Sequence, residues 1–246
     1  MVLALEIFTR SGGVFASTWA HVLVGIMWIG LLYYFNFVQV PSFAELDAQA
    51  RNQAVDKLAS RALWWFRWSA LATVITGLLI LWAQDNLSSG TYFKLAPGAS
   101  IATGILLALV MFLNVWGVIW NNQKVVIANA RNVLAGGEAN PTAAASGRKA
   151  LLASRQNTIF SLPMLFFMLW THLNPGIYNL TDNRGIYWLV TLIIVLVFEL
   201  NCLGIIGGTG QNITNKIYES HINSLITGAL LVVVWYALWE ILFKTI

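Results

Sequence analysis

The sequence predicts an all-α, polytopic integral membrane bundle, and three observations carry that prediction. Hydrophobic residues make up 58% of the 246 residues and charged residues only 10%, against about 25% charged in an ordinary soluble domain. Mean hydropathy is +0.70. The apolar residues gather into runs at 17–40, 62–84, 100–121, 157–173, 186–206 and 221–243, most of them near the roughly 20 residues needed to cross a bilayer. These runs are too long and too uniform for strands, and a chain crossing lipid must close its backbone hydrogen bonds within each segment. The expected architecture is one membrane domain of about six transmembrane helices.

The elements follow in order. Residues 1–16 are apolar but broken by Glu6 and Arg10, which suits a short interfacial segment; a basic start and a small-residue cleavage site, the marks of a signal peptide, are missing. The first and second spans follow. The third is expected to continue into the longest connection, 122–156, "QKVVIANARNVLAGGEANPTAAASGRKALLASRQN". Its Gly136-Gly137 pair reads as a helix stop and Pro141 as a turn before a second helix. A helical hairpin projecting into the cytoplasm is predicted, as a docking surface or as a solvated extension of two membrane helices. The fourth span contains Pro163, which removes a backbone donor and should kink it. Gly204, Gly207, Gly208 and Gly210, in "GIIGGTGQN", do not form GxGxxG and read as a turn between membrane helices.

Orientation follows from the cations. Arg51, Lys57, Arg61, Arg67, Lys124, Arg131, Arg148, Lys149, Arg155 and Lys216 fall on one side of the predicted spans, and Arg10, Lys94, Arg184 and Lys244 on the other. The positive-inside bias then places both termini outside the cytoplasm, periplasmic in a bacterium, with the chain multi-pass in the bacterial inner membrane. Trp64, Trp65, Trp68, Trp116 and Trp120 mark the inner boundary, and Trp19, Trp82, Trp170, Trp188, Trp235 and Trp239 the outer one, with Trp28 between. Membrane anchoring is the simplest role for most of these tryptophans.

Several functions are excluded. The net charge of +4 comes without a basic run of five, so nucleic acid is not an expected partner. Cys202 is the only cysteine, which excludes an internal disulfide, a thiolate zinc site and a CxxCH attachment site for c-type haem.

The polar residues inside the spans need a reason. His21 heads a stripe with Gly25, Trp28, Leu32 and Phe35, all within about 40° of it on one helix face. A histidine, a glycine one turn later and an aromatic beyond suit a flat macrocycle such as haem b, with His21 as iron ligand. A small-residue helix contact with a hydrogen-bonded His21 accounts for the same stripe. His172 closes the fourth span at a matching depth and makes a candidate second ligand; Met168, one turn earlier, offers a thioether instead. His172 precedes Asn174 and Pro175, so a helix-end role is also open. Arg67, Glu199 and His221 are expected near the inner face as a buried polar cluster, serving a proton or anion path or fixing helix order through an ion pair or a His221–Glu199 hydrogen bond. Asn114 lies at a similar depth.

"HVLVGIMWIGLLYYFNFVQVPSFAE", "RALWWFRWSALATVITGLL", "NVWGVIWNNQKVVIANA" and "SLPMLFFMLWTHLNP", in that order, resemble the membrane portion of the bacterial urate oxidase (urate hydroxylase) family whose enzymes carry a C-terminal cytochrome c domain. The histidine-to-"WIG" stretch is more weakly similar to membrane-type protoporphyrinogen oxidases and copper-resistance D proteins. The resemblance implies a redox module handing electrons to a cytochrome. This sequence has no CxxCH, so either a separate protein supplies that cytochrome or the module has lost the reaction. The expected function is therefore a redox-linked, haem-b-binding membrane protein. The alternative is a non-catalytic accessory subunit of a larger respiratory or photosynthetic membrane complex. A transporter reading rests on Glu199 and Arg67, with no inverted repeat to support it.

Overall fold

The computed structural model describes residues 5–173, 178, 180 and 183–244, apart from the side chains of 171–173. Six long helices dominate: α1 (Arg10–Glu45), α2 (Ala48–Ala83), α3 (Ala96–Leu134), α4 (Ala143–Leu173), α5 (Arg184–Cys202) and α6 (His221–Phe243). All but α4 are long and apolar enough to cross a membrane, and the chain is a multi-pass membrane protein. No β-strand occurs among the described residues; one isolated bridge pairs Tyr178 with Lys244.

At about 1.5 Å per residue, α1, α2 and α3 exceed 50 Å and outrun a hydrocarbon core of about 30 Å. Each contains a widened π-type turn, at Tyr34–Gln39, Val55–Ala59 and Asn114–Ile119. Backbone N–H groups there reach five residues back, as from Val40 to Phe35 and from Trp120 to Val115. Such turns are rare and gather at functional sites.

The helix expected to begin near residue 17 begins at Arg10, after a short 3-10 turn at Glu6–Phe8. Thr9 caps it, its hydroxyl accepting from the Gly12 N–H. Arg10 ties that end to α2 through Asp85 and the Ala83 carbonyl. The predicted hairpin forms: α3 stops at Leu134, Gly136 takes the left-handed conformation (φ +84°), and α4 resumes at Ala143. The turn after α5 begins earlier than expected, because Gly204 at φ +77° ends the helix at Cys202.

α1 pairs with α2 and α3 with α4, while α4 also packs on α1, α5 and α6. It is the central helix. Beside it, α4, α5 and α6 close on an aromatic cluster in which Phe167, Tyr187, Trp235, Trp239 and Phe243 are all essentially buried. Trp235 and Trp239 therefore belong to the helix core, not to an outer belt. Ring-to-ring packing across three helices and a hydrogen bond from Trp235 Nε1 to Thr191 Oγ1 (3.1 Å) hold them there. Trp19, Trp64, Trp65, Trp68 and Trp82 are exposed, as anchoring residues should be.

Candidate functional site

The interior of the bundle is polar where α4 crosses its neighbours. Arg155, Gln156, Asn157, Thr158 and Ser161 are buried in consecutive turns of α4. Lipid cannot satisfy such groups, so protein partners or enclosed water must. α1 supplies Asn36, fully buried within its π-type turn, whose Nδ2 donates to Ser154 Oγ and to its own Leu32 carbonyl, both at 2.8 Å. α1 also supplies the Tyr33 hydroxyl, which donates to Ser161 Oγ (2.9 Å) because the Ser161 proton goes to the Thr158 carbonyl (2.7 Å).

From α3 comes Asn114, the first residue of another π-type turn. Its amide donates to Asn157 Oδ1 (3.2 Å) and to Glu199 Oε2 of α5 (3.1 Å), and Asn157 Nδ2 donates to the Met111 carbonyl (3.0 Å). One amide thus joins α3, α4 and α5. The loop before α6 adds Tyr218, whose hydroxyl donates to Gln156 Oε1 (2.8 Å). Burial pushes the Tyr218 phenol well above its ordinary range, which keeps it a donor. Around it, the glycine turn is stitched by Asn215, whose Nδ2 donates to the Gly208 and Gly210 carbonyls, and by Arg148, which donates to the Thr209 carbonyl and pairs with Glu219. Arg155 Nε and Nη1, Gln156 Nε2 and Asn36 Oδ1 are buried without a protein partner among the described residues. These groups make the layer a place for water or a polar guest.

A second feature lies in the seam between α1 and α2. His21 Nδ1 is 3.0 Å from Thr76 Oγ1, and that hydroxyl sits 2.7 Å from the Ala72 carbonyl. The threonine proton is committed to the carbonyl, so Thr76 accepts from His21 Nδ1–H and the lone pair is left on Nε2. The Thr73 backbone carbonyl also hydrogen-bonds to the ring. A Cβ added at Gly77 would stand 3.2 Å from His21 Cε1, so Gly77 is the glycine that seats the ring. Gly25, one turn on, is half-buried, and a Cβ there would meet nothing within 4 Å. That is open space one turn from the imidazole.

Of the residues singled out from the sequence, His21, Gly25 and Trp28 do share a face. Met168 sits elsewhere, its Sδ 3.3 Å from a Cβ built on Gly104 of α3. His172 lies in the last turn of α4, and its side chain is outside the described residues. Arg67, Glu199 and His221 are not brought together. The Arg67 guanidinium stacks 3.8 Å over the Trp120 ring, Glu199 is held by Asn114, and the His221 ring lies against Phe37. The reason is the helix order: α2 packs on α1 and α3, whereas α5 packs on α4 and α6. Sequence reasoning missed Thr76, Gly77, Asn36 and the polar run 154–158. Five successive polar residues, "SRQNT", leading into an apolar stretch were the available signal.

No curated protein and no solved structure matches the chain. A family model does, over residues 90–203. The matched region takes in Asn114, Asn157, Met168, His172 and Glu199, with the third and fourth of the four sequence motifs; the seam of His21 and Thr76 precedes it. The family that residues 90–203 match is the urate oxidase N-terminal family, the one those motifs resemble.

Proposed function

We propose that the chain is a redox-linked membrane module of the urate oxidase N-terminal kind, holding haem b on His21 and passing electrons to a separate cytochrome. The observation that carries this is the commitment of His21 Nδ1–H to Thr76. A histidine ligand commonly donates its second ring N–H to an acceptor, which fixes the tautomer and raises the basicity of the ligating nitrogen. Here that acceptor is a hydroxyl whose own proton is already spent on the Ala72 carbonyl. The open space at Gly25, on the same helix face as His21 and Trp28, leaves the surface of α1 clear for a planar group.

Bound there, the haem supplies one-electron transfer. The chain's own contribution is to hold and orient the imidazole through Thr76 and Gly77 and to keep the helix face at Gly25 clear. His172, in the last turn of α4, would be the second residue to hold the haem. The polar layer on α4 is separate in role: it fixes the order of α1, α3 and α5 around the central helix.

The test is a dithionite-reduced minus oxidised visible spectrum of the purified chain. A b-type α-band lost in His21→Ala is expected. Thr76→Val should raise the midpoint potential, since the imidazole loses its acceptor and some donor strength, and Thr76→Ser should restore it. A featureless spectrum from folded, haem-supplemented protein would overturn the reading.

A further inference from the structure

A cavity of about 410 Å³ opens between α2 and α3 at the cation-rich end of the bundle, independent of the His21 seam. Arg61, Trp64 and Arg67 line it from α2, and Trp120, Lys124 and Arg131 from α3. Among the described residues, Arg131 alone of its four cations has an acidic partner, Asp56 Oδ1 at 2.5 Å. Arg61, Arg67 and Lys124 have no carboxylate in ion-pair range among the described residues. Arg67 and Lys124 converge on the same indole, the guanidinium carbon 3.8 Å and Nζ 5.9 Å from the Trp120 ring centroid. The ring's π face stabilises the two cations, and stacking holds the guanidinium plane fixed. Two like charges drawn to one ring leave an excess of positive potential that an anion would neutralise.

The occupant follows from position and chemistry. Trp64, Trp65 and Trp68 beside the cavity are 46%, 54% and 43% exposed, a cluster of indoles of the kind that sits at headgroup level. A guanidinium fork matches the oxygens of a phosphate, and basic pockets between membrane helices take acidic lipid headgroups. We propose that α2 and α3 form a site for the phosphate of an anionic phospholipid headgroup, gripped by Arg61, Arg67 and Lys124 with Trp120 as the platform beneath them.

Thermal unfolding of the full chain, delipidated in a neutral maltoside detergent, tests this. Phosphatidylglycerol, phosphatidylcholine and inorganic phosphate are added separately at equal concentration. Phosphatidylglycerol at a hundredfold excess over its Kd should raise Tm by roughly 5–10 °C, and the other two should leave it unchanged. Arg67→Gln with Lys124→Gln should abolish the shift, and Arg67→Lys should recover only part of it, because a lysine keeps the charge but not the fork. Exposed Lys124→Gln alone, which does not disturb the helix seam, should weaken binding at least fivefold and so cut the shift by about a third or more. An equal shift from phosphatidylcholine would overturn headgroup recognition. A shift from inorganic phosphate as large as that from the lipid would overturn the lipid as source. An undiminished shift in Lys124→Gln and in the double variant would place the lipid elsewhere.

Discussion

Gly228 of α6 lies directly against the backbone of Ile159 in α4, so closely that a Cβ at Gly228 would stand 2.7 Å from the Ile159 carbonyl oxygen. That carbonyl belongs to the residue four before Pro163, whose nitrogen carries no proton to donate back to it. The central helix continues through Pro163 to Leu173. The carbonyl without its helical partner is covered by the one residue type that lets another backbone approach this closely.

Gly228→Ala is therefore expected to destabilise the protein by about 1–3 kcal/mol, as overpacking against backbone does. Gly228→Leu should separate α4 from α6 and expose the aromatic cluster. Denaturant-induced unfolding in detergent, followed by tryptophan emission, measures both. Pro163→Ala supplies the missing N–H and should cost much less than Gly228→Ala.

Asn114 holds Asn157 and Glu199 with one amide. Asn114→Ala leaves a buried amide oxygen and a carboxylate oxygen unpartnered, at a cost of about 2–3 kcal/mol. Glu199→Gln keeps an oxygen to accept from Asn114 and should cost under half of that. If equilibrium unfolding ranks the two variants the other way, Asn114 is not the joint of the polar layer.

Trp239 is buried among Phe167, Tyr178, Tyr187 and Phe243, so Trp239→Ala should cost about 3–5 kcal/mol. Trp82, 70% exposed, should tolerate alanine within about 0.5 kcal/mol. Brominated lipid in reconstituted vesicles should quench single-tryptophan proteins carrying Trp82 and spare those carrying Trp239.

Asn215 satisfies two glycine carbonyls, with Gly204, Gly207 and Gly208 all at positive φ nearby. Asn215→Ala should loosen the turn and make residues 204–214 sensitive to limited proteolysis, with helices α1 to α4 still protected. Equal cleavage rates in the two proteins would show that the glycine conformations hold the turn without the asparagine.

The sequence by itself determined the helical class and where most of the helices lie, because lipid demands long apolar segments and their composition can be counted. It also marked the Gly136-Gly137 stop and the turn at Gly204, where local backbone chemistry decides. It placed His21, Gly25 and Trp28 on one face through the helical period alone. What it did not determine was which helix each face meets. Arg67 and Glu199 both read as costly residues of one membrane half, yet Arg67 meets Trp120 and Glu199 meets Asn114. Met168 turned to Gly104, and the glycine under His21 is Gly77 of the next helix. The run 154–158 reads in sequence as the solvated start of a helix; only its enclosure by α1, α3, α5 and the loop before α6 makes it the polar interior. Side chains with no water to turn to take their partners from whichever helix lies opposite, and that choice is made by tertiary packing.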